Sequence, residues 1–207
     1  MYYRIVKMII SLIYRLLARI EIVGVDNVPQ KGPYIVICNH LSSFDPPLLL
    51  VALPVQMMVL AANKYRNHPI FGPFLSSMGA IYVRRGEVDR QALRTCLNVL
   101  GEGGIIGIAP EGTRSPTGAL QEGHTGVAYL ASRAGVPILP VAITGTEKMP
   151  ASLKRLRRGQ VKAVIGETFI LPTTERKARG KQLKEFTELI MLRLAEMLPE
   201  EYRGVYQ

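Results

Sequence analysis

Apolar positions along this chain gather into short uninterrupted runs, separated by stretches in which they recur with a helical period. The runs Tyr34–Cys38, Val55–Ala61, Gly79–Val83, Gly104–Ala109, Val136–Ile143 and Val161–Ile165 have the length and composition of buried strands. Between them Pro46–Leu53, a Pro- and Gly-broken stretch at 67–78, Val88–Leu100 and Gly123–Ala134 each allow two or more helical turns. Leu183, Phe186, Ile190, Leu194 and Met197 then predict a closing helix over Gln182–Leu198. Such alternation predicts one α/β domain, with a mixed central sheet covered by helices on both faces. No internal repeat is visible, and only 171–181 (LPTTERKARGK) reads as a linker.

The first twenty residues have a different pattern. On a helix Arg4, Lys7, Arg15 and Arg19 fall within roughly 120° of arc, shared with Ser11 and Ala18, and the remaining circumference is apolar. The longest uncharged run, Met8–Tyr14, has seven residues, against the ~20 that a membrane-spanning helix needs. Basic residues interrupt the apolar region and no small-residue cleavage site follows, which argues against a signal peptide. Residues 1–20 are therefore expected to form an amphipathic helix lying in a membrane interface, followed by a globular domain over 21–207. A core helix at the start of that domain is the alternative.

Composition sharpens this picture. With 207 residues, 48% apolar and 20% charged, the chain can bury one substantial core. Its net charge of +10 is concentrated: residues 1–20 carry four Lys/Arg and no acid, and residues 150–181 carry nine Lys/Arg against two Glu, while the remainder is nearly neutral. Two basic segments on a neutral body suit a polyanionic partner such as an anionic membrane surface. Nucleic acid is disfavoured, because LKRLRRGQVK lacks interleaved aromatics and the chain has no known binding motif. Cys38 and Cys96 lack paired metal or disulfide spacing and are expected as free thiols in a reducing compartment.

Candidate chemistry begins in YIVICNHLSSFDPP, residues 34–47. Side chains alternate along a strand, so Tyr34, Val36, Cys38 and His40 share one face and place the imidazole at the strand's carboxyl end, where open α/β sheets hold ligands. Asp45, followed by Pro46-Pro47 and LLLVAL, has the pattern of a helix N-cap. One of its oxygens can cap while the other holds His40, and an imidazole with a carboxylate partner is an oriented general base. A later strand ends in GIAPEGTRSPTG, whose Pro and Gly residues leave Glu111, Thr113, Arg114 and Ser115 on a loop suited to an anion or to a plain surface turn. A third strand, GAIYV, runs into Arg84-Arg85-Gly86.

These pieces in this order resemble the glycerolipid acyltransferase family, in particular the 1-acyl-sn-glycerol-3-phosphate (lysophosphatidic acid) acyltransferases. NHLSSFD has the N-H-x4-D form of the family's first motif, GAIYVRR is similar to the second, PEGTRS to the third and VPILPV to the fourth, over roughly residues 25–165. The resemblance implies transfer of a fatty acyl group from acyl-CoA or acyl-ACP to the free hydroxyl of 1-acylglycerol-3-phosphate, giving phosphatidic acid. It implies His40 as general base oriented by Asp45. Arg85, Thr113 and Arg114 would hold the acceptor's phosphate, and backbone amides near Gly112 would stabilise the oxyanion. Glu111 carries over as a motif residue without a derivable role. No bound cofactor or metal is implied, the acyl thioester being a co-substrate, and the place of action is the cytoplasmic face of a membrane, as a peripheral or monotopic protein.

Two positions depart from the family pattern. Ala109 stands where an aromatic often precedes the proline, and Gly123-His124 stands where Phe-Lys is frequent. Loss of that lysine leaves the phosphate contact, and hence the acceptor, open to another lyso-lipid, including an aminolipid lacking phosphate. His124, His68 and Lys64 are readable either as surface residues or as substrate contacts. A non-catalytic lipid-binding protein is the alternative from another class, and it would predict broken motifs. Cys38, two residues before His40 on the same strand face, also raises a Cys–His mechanism. Its apolar strand setting and the nearly 7 Å between residues i and i+2 argue for an inert thiol and direct transfer.

Overall fold

A computed structural model describes residues 2–69, 71–84, 89–172 and 178–207, apart from the side chains of Tyr2 and Phe71. Among the described residues seven strands form one mixed sheet in the order β1-β7-β6-β2-β5-β3-β4. They are β1 (Ala18–Val23), β2 (Tyr34–Cys38), β3 (Met58–Ala62), β4 (Ile81–Val83), β5 (Ile105–Ile108), β6 (Ile138–Thr144) and β7 (Gly159–Ile165). Among the pairings of these strands only β6–β7 is antiparallel. The mixed sheet expected from the apolar runs is thus present.

Helices cover both faces. α1 (Tyr2–Leu17), α2 (Asp45–Ala52) and α3 (Phe71–Ser77) pack together on one side, and α4 (Arg90–Gly101), α5 (Gly126–Ala134) and α7 (Lys181–Glu196) on the other. A short α6 (Met149–Lys154) leads into β7. Local signals explain the boundaries. Asp89 caps α4 by accepting the Ala92 N–H at 3.0 Å. Gly135, with φ of 65°, ends α5 in the left-handed conformation that glycine adopts without a steric penalty. β2 is buried along its whole length, with Ile35 and Ile37 fully enclosed, as a strand covered on both faces requires.

The N-terminus differs from expectation in one respect. The helix expected over 1–20 ends at Leu17, and Ala18 opens β1, an edge strand paired in parallel with β7 from Ala18↔Gly159 to Val23↔Val164. Its burial alternates, with Ala18 buried and Ile20 and Ile22 half-buried. That period is visible in ARIEIV only once the partner, some 140 residues away, defines which face is covered. α1 is held to the body by Tyr14, whose hydroxyl donates to the Phe44 carbonyl at 3.1 Å, and by Lys7, whose ammonium donates to the Leu53 carbonyl. Opposite that contact Ile5, Met8, Ile9, Leu12, Ile13 and Leu16 are exposed, spanning about 140° of the helix. No described helix is long and apolar enough to cross a membrane.

Other boundaries moved by a few residues. Val55 belongs to the turn before β3, and α5 begins only at Gly126, after a segment in which the His124 N–H donates to the Pro110 carbonyl at 2.9 Å. The expected linker at 171–181 falls partly outside the described residues, while Leu171 and Ala178 on either side are buried.

Candidate active site

β2, β5 and β6 run parallel and end at one edge of the sheet, so the loops that follow them meet there. The first carries His40. Its Nδ1 lies 2.7 Å from Asp45 Oδ2, with Asp45 98% shielded at its side chain and the imidazole partly open. The same carboxylate oxygen accepts the N–H groups of Leu41 at 2.7 Å and Ser42 at 2.9 Å, and the other oxygen accepts the Thr146 hydroxyl. Asp45 is therefore fully hydrogen-bonded although buried, as an ionised carboxylate in a protein interior must be.

This arrangement changes the capping expectation. α2 begins at Asp45 itself, Phe44 occupies the cap position, and no side chain caps the helix. Pro46 and Pro47 remove two N–H groups that would otherwise need partners, and the carboxylate turns back onto the His40–Ser42 turn. Donation from Nδ1–H to the carboxylate holds that proton in place and leaves Nε2 as the acceptor of a neutral imidazole. Among the described residues no hydrogen bond reaches Nε2.

The loop after β5 grips the histidine from behind. Glu111 Oε1 accepts the His40 backbone N–H at 2.8 Å, and the Ser115 N–H donates to the His40 carbonyl at 2.7 Å. Glu111 Oε2 accepts the Gln121 backbone N–H at 3.0 Å. Burial raises the Glu111 pKa, and the amides of His40 and Gln121 pull it partly back. The residue without a derivable role in the sequence is thus a clamp between the His40 turn and the strand end that carries the third motif. Asn39 makes a second clamp: its side chain donates to the Ile143 carbonyl at 2.8 Å and accepts the Ile143 N–H at 2.7 Å, extending the sheet across β2 and β6.

In front of His40 a cavity of about 680 Å³ opens between α2, β3, α4 and α5. Leu49, Val59, Leu75, Leu93, Ile108 and Val127 give it apolar walls, and His40, Thr113, His124 and Thr125 supply polar groups. Gly112, with φ of 65°, lines it too, and a Cβ there would stand 2.8 Å from the His124 ring. The Gly112 N–H donates to the Ala109 carbonyl at 3.0 Å. Among the described residues no hydrogen bond takes the Thr113 N–H. Arg114 is exposed outside the cavity, its guanidinium 3.4 Å from the Tyr65 hydroxyl. Lys64 lies over the Tyr65 ring at 5.3 Å, so two cations flank that tyrosine. Arg85 lies outside the described residues, whereas neighbouring Arg84 lines the cavity.

Cys38 lines the cavity wall but is buried. Burial first, then the Asp45 and Glu111 charges, raises its thiol pKa well above the ordinary value, which is the setting of an inert cysteine. Sequence reasoning missed Thr146, Gln121, Ser42 and Asn39 as parts of this site. Thr146 stands five residues after the VPILPV run, so its position after a strand at the sheet's carboxyl edge was the available signal.

Sheet order and edge position thus place the buried His40–Asp45 pair where open α/β sheets hold their ligands. The acyltransferase family model matches residues 19–144, more than half of the chain, and the chain belongs to that family. Its relatives include the 1-acyl-sn-glycerol-3-phosphate acyltransferase of Borreliella burgdorferi, 31% identical over 130 residues, covering 62% of this chain and 52% of that protein. The protein of the same name in Bacillus subtilis is 27% identical over 191 residues, covering 91% and 92%. The chain thus spans about half the length of the first relative and nearly all of the second. The crystal structure of the 1-acyl-sn-glycerophosphate (LPA) acyltransferase PlsC from Thermotoga maritima superposes with a TM-score of 0.72 at 24% identity, covering 96% of this chain and 80% of that one. It has the same fold.

Proposed function

We propose that this protein transfers a fatty acyl group from an acyl thioester, on coenzyme A or acyl carrier protein, to the free hydroxyl of 1-acylglycerol-3-phosphate. The observation that carries the reading is the His40 Nδ1–Asp45 pair at 2.7 Å, set at the mouth of a large apolar cavity. An imidazole so held can take a proton only at Nε2. As the acceptor oxygen attacks the thioester carbonyl, its proton passes to His40 Nε2, and Asp45 stabilises the resulting imidazolium. Collapse of the tetrahedral intermediate breaks the C–S bond, and the departing thiolate recovers the proton from Nε2. The Thr113 N–H, at the cavity wall, is the backbone donor best placed for the oxyanion.

The apolar walls suit the acyl chain, and the cations Lys64 and Arg114, with Arg85 by resemblance, suit the acceptor's phosphate. The exposed apolar face of α1 supports peripheral attachment to an anionic membrane, on the cytoplasmic side where acyl thioesters and free thiols coexist. His124, in the position where lysine is frequent, favours as a second reading a lyso-lipid acceptor with a different headgroup.

The test is an acylation assay with purified protein in lipid or detergent, a panel of lyso-lipids and both thioester carriers, with products identified by mass spectrometry. Phosphatidic acid from lysophosphatidic acid is expected. Thioester hydrolysis without an acylated lipid product would overturn the reading.

A further inference from the structure

β1 and β7 run in parallel with Ala18 opposite Gly159, so the residues just before them leave the sheet side by side. These are the last turn of α1 and the turn Arg155–Arg158. Arg158 fastens the two, its guanidinium donating to the carbonyls of Arg15 and Ala18. Because β7 is antiparallel to β6, this is the edge at which β6 and β2 end and at which His40 lies.

The turn itself has an unusual occupant. Leu156 donates its N–H to the Leu153 carbonyl at 3.0 Å and Arg157 donates to the Ser152 carbonyl at 2.9 Å, the two bonds of a Schellman helix end. Such an end places a left-handed residue between them, normally glycine. Here it is Leu156, with φ of 52°, the single non-glycine residue with positive φ among those described. The residue is 97% exposed. Neither the backbone conformation nor the uncovered isobutyl group stabilises the isolated fold. Lys154, Arg155 and Arg157 surround it, all exposed, and residues 149–158 contain no acid.

An apolar tip ringed by cations is complementary to an anionic bilayer, hydrocarbon meeting the tip and phosphates meeting the ring. It also continues the exposed apolar face of α1, which reaches the same edge at Leu16. We infer that the turn Lys154–Arg158 is a second membrane contact. Leu156 enters the acyl boundary while Lys154, Arg155 and Arg157 rest on anionic headgroups. The inference rests on the reading that α1 lies in the interface. With α1 it gives the protein two points of attachment beside the His40 edge, which turns the cavity toward the surface that supplies the lyso-lipid.

The test is sedimentation of the full chain with vesicles of phosphatidylcholine alone or mixed with phosphatidylglycerol. Arg155→Ala/Arg157→Ala is expected to weaken binding to the anionic vesicles roughly fivefold per arginine at low salt, and to leave binding to phosphatidylcholine unchanged. Leu156→Gly relieves the left-handed strain, so it should raise Tm by about 1–3 °C while weakening binding to both vesicles. Activity on detergent-solubilised substrate should stay at the parent level in all of these variants. Leu12→Asp/Leu16→Asp tests α1 separately: release of that variant with parent-like binding by the turn variants overturns the turn alone. Parent-like binding by that variant overturns the α1 reading, and parent-like binding by the turn variants as well overturns the turn. A self-association of the lipid-free protein that the turn variants abolish would identify the occupant as a second copy of the chain and overturn the membrane contact.

Discussion

The Glu111 carboxylate accepts the backbone N–H of His40 at 2.8 Å, so the loop of one strand sets the position of the base carried by another. Glu111 is 2% exposed and does not line the cavity, which makes it a positioning residue. Glu111→Gln retains one acceptor for His40 but turns an NH₂ group toward the Gln121 N–H, leaving two donors facing each other. We expect kcat to fall roughly 10- to 100-fold with both KM values nearly unchanged. Steady-state kinetics in both substrates decide this, and a KM effect without a kcat effect would assign Glu111 to binding instead.

Glu111 also links stability to pH. Its folded-state pKa is raised by burial, so the folded chain holds that proton more tightly than the unfolded chain. The stability this adds is complete below the ordinary carboxylate pKa and is lost as pH rises through the raised value. Denaturant melts of the parent should lose stability across that window, and Glu111→Gln should lose less. Equal slopes for the two proteins would refute the linkage.

His40→Ala should reduce acyl transfer by about 10²–10⁴ while the chain stays folded. Asp45→Asn should be comparably severe, because an amide still accepts from Nδ1 but supplies no charge to stabilise the imidazolium. Single-turnover rates with circular dichroism as a folding control are the measurement. Near-normal turnover by a folded Asp45→Asn protein would reduce Asp45 to a support for the His40–Ser42 turn.

Cys38→Ala should retain most activity, with at most a packing defect, and no acylated protein should accumulate when thioester is supplied without acceptor. The raised pKa of this buried thiol argues for direct attack by the acceptor hydroxyl. Cys96, pushed up to about 11 by burial, should be equally slow to alkylate near neutral pH. A trapped thioester on Cys38 together with a dead, folded Cys38→Ala enzyme would establish an acyl-enzyme route.

Arg114→Ala and Arg85→Ala should raise the acceptor KM more than the donor KM, since a lost phosphate contact is mostly lost binding. His124→Lys should lower the acceptor KM for phosphate-bearing lyso-lipids, because its ring occupies the space left by the missing Cβ of Gly112 at the cavity wall. Acceptor and donor titrations of the three variants separate the cases. A shift confined to the donor would relocate the phosphate site.

Much of the architecture was legible in the one-dimensional pattern, because buried strands and amphipathic helices write their burial into local periodicity. The run Tyr34–Cys38 is a strand with the expected bounds, and His40 and Asp45 meet because the four residues between them suffice to turn the chain back. Tertiary structure alone decided what depends on distant partners. β1 exists because β7 lies beside it, since an edge strand with one half-covered face carries too weak a local signal to end a helix. Thr146 reaches Asp45, Glu111 holds His40, and Arg158 joins Leu156's turn to α1, each across 70 residues or more. No periodicity encodes such pairings. A hydrogen bond is specified by where the sheet puts its two ends, and only the folded chain brings those ends together.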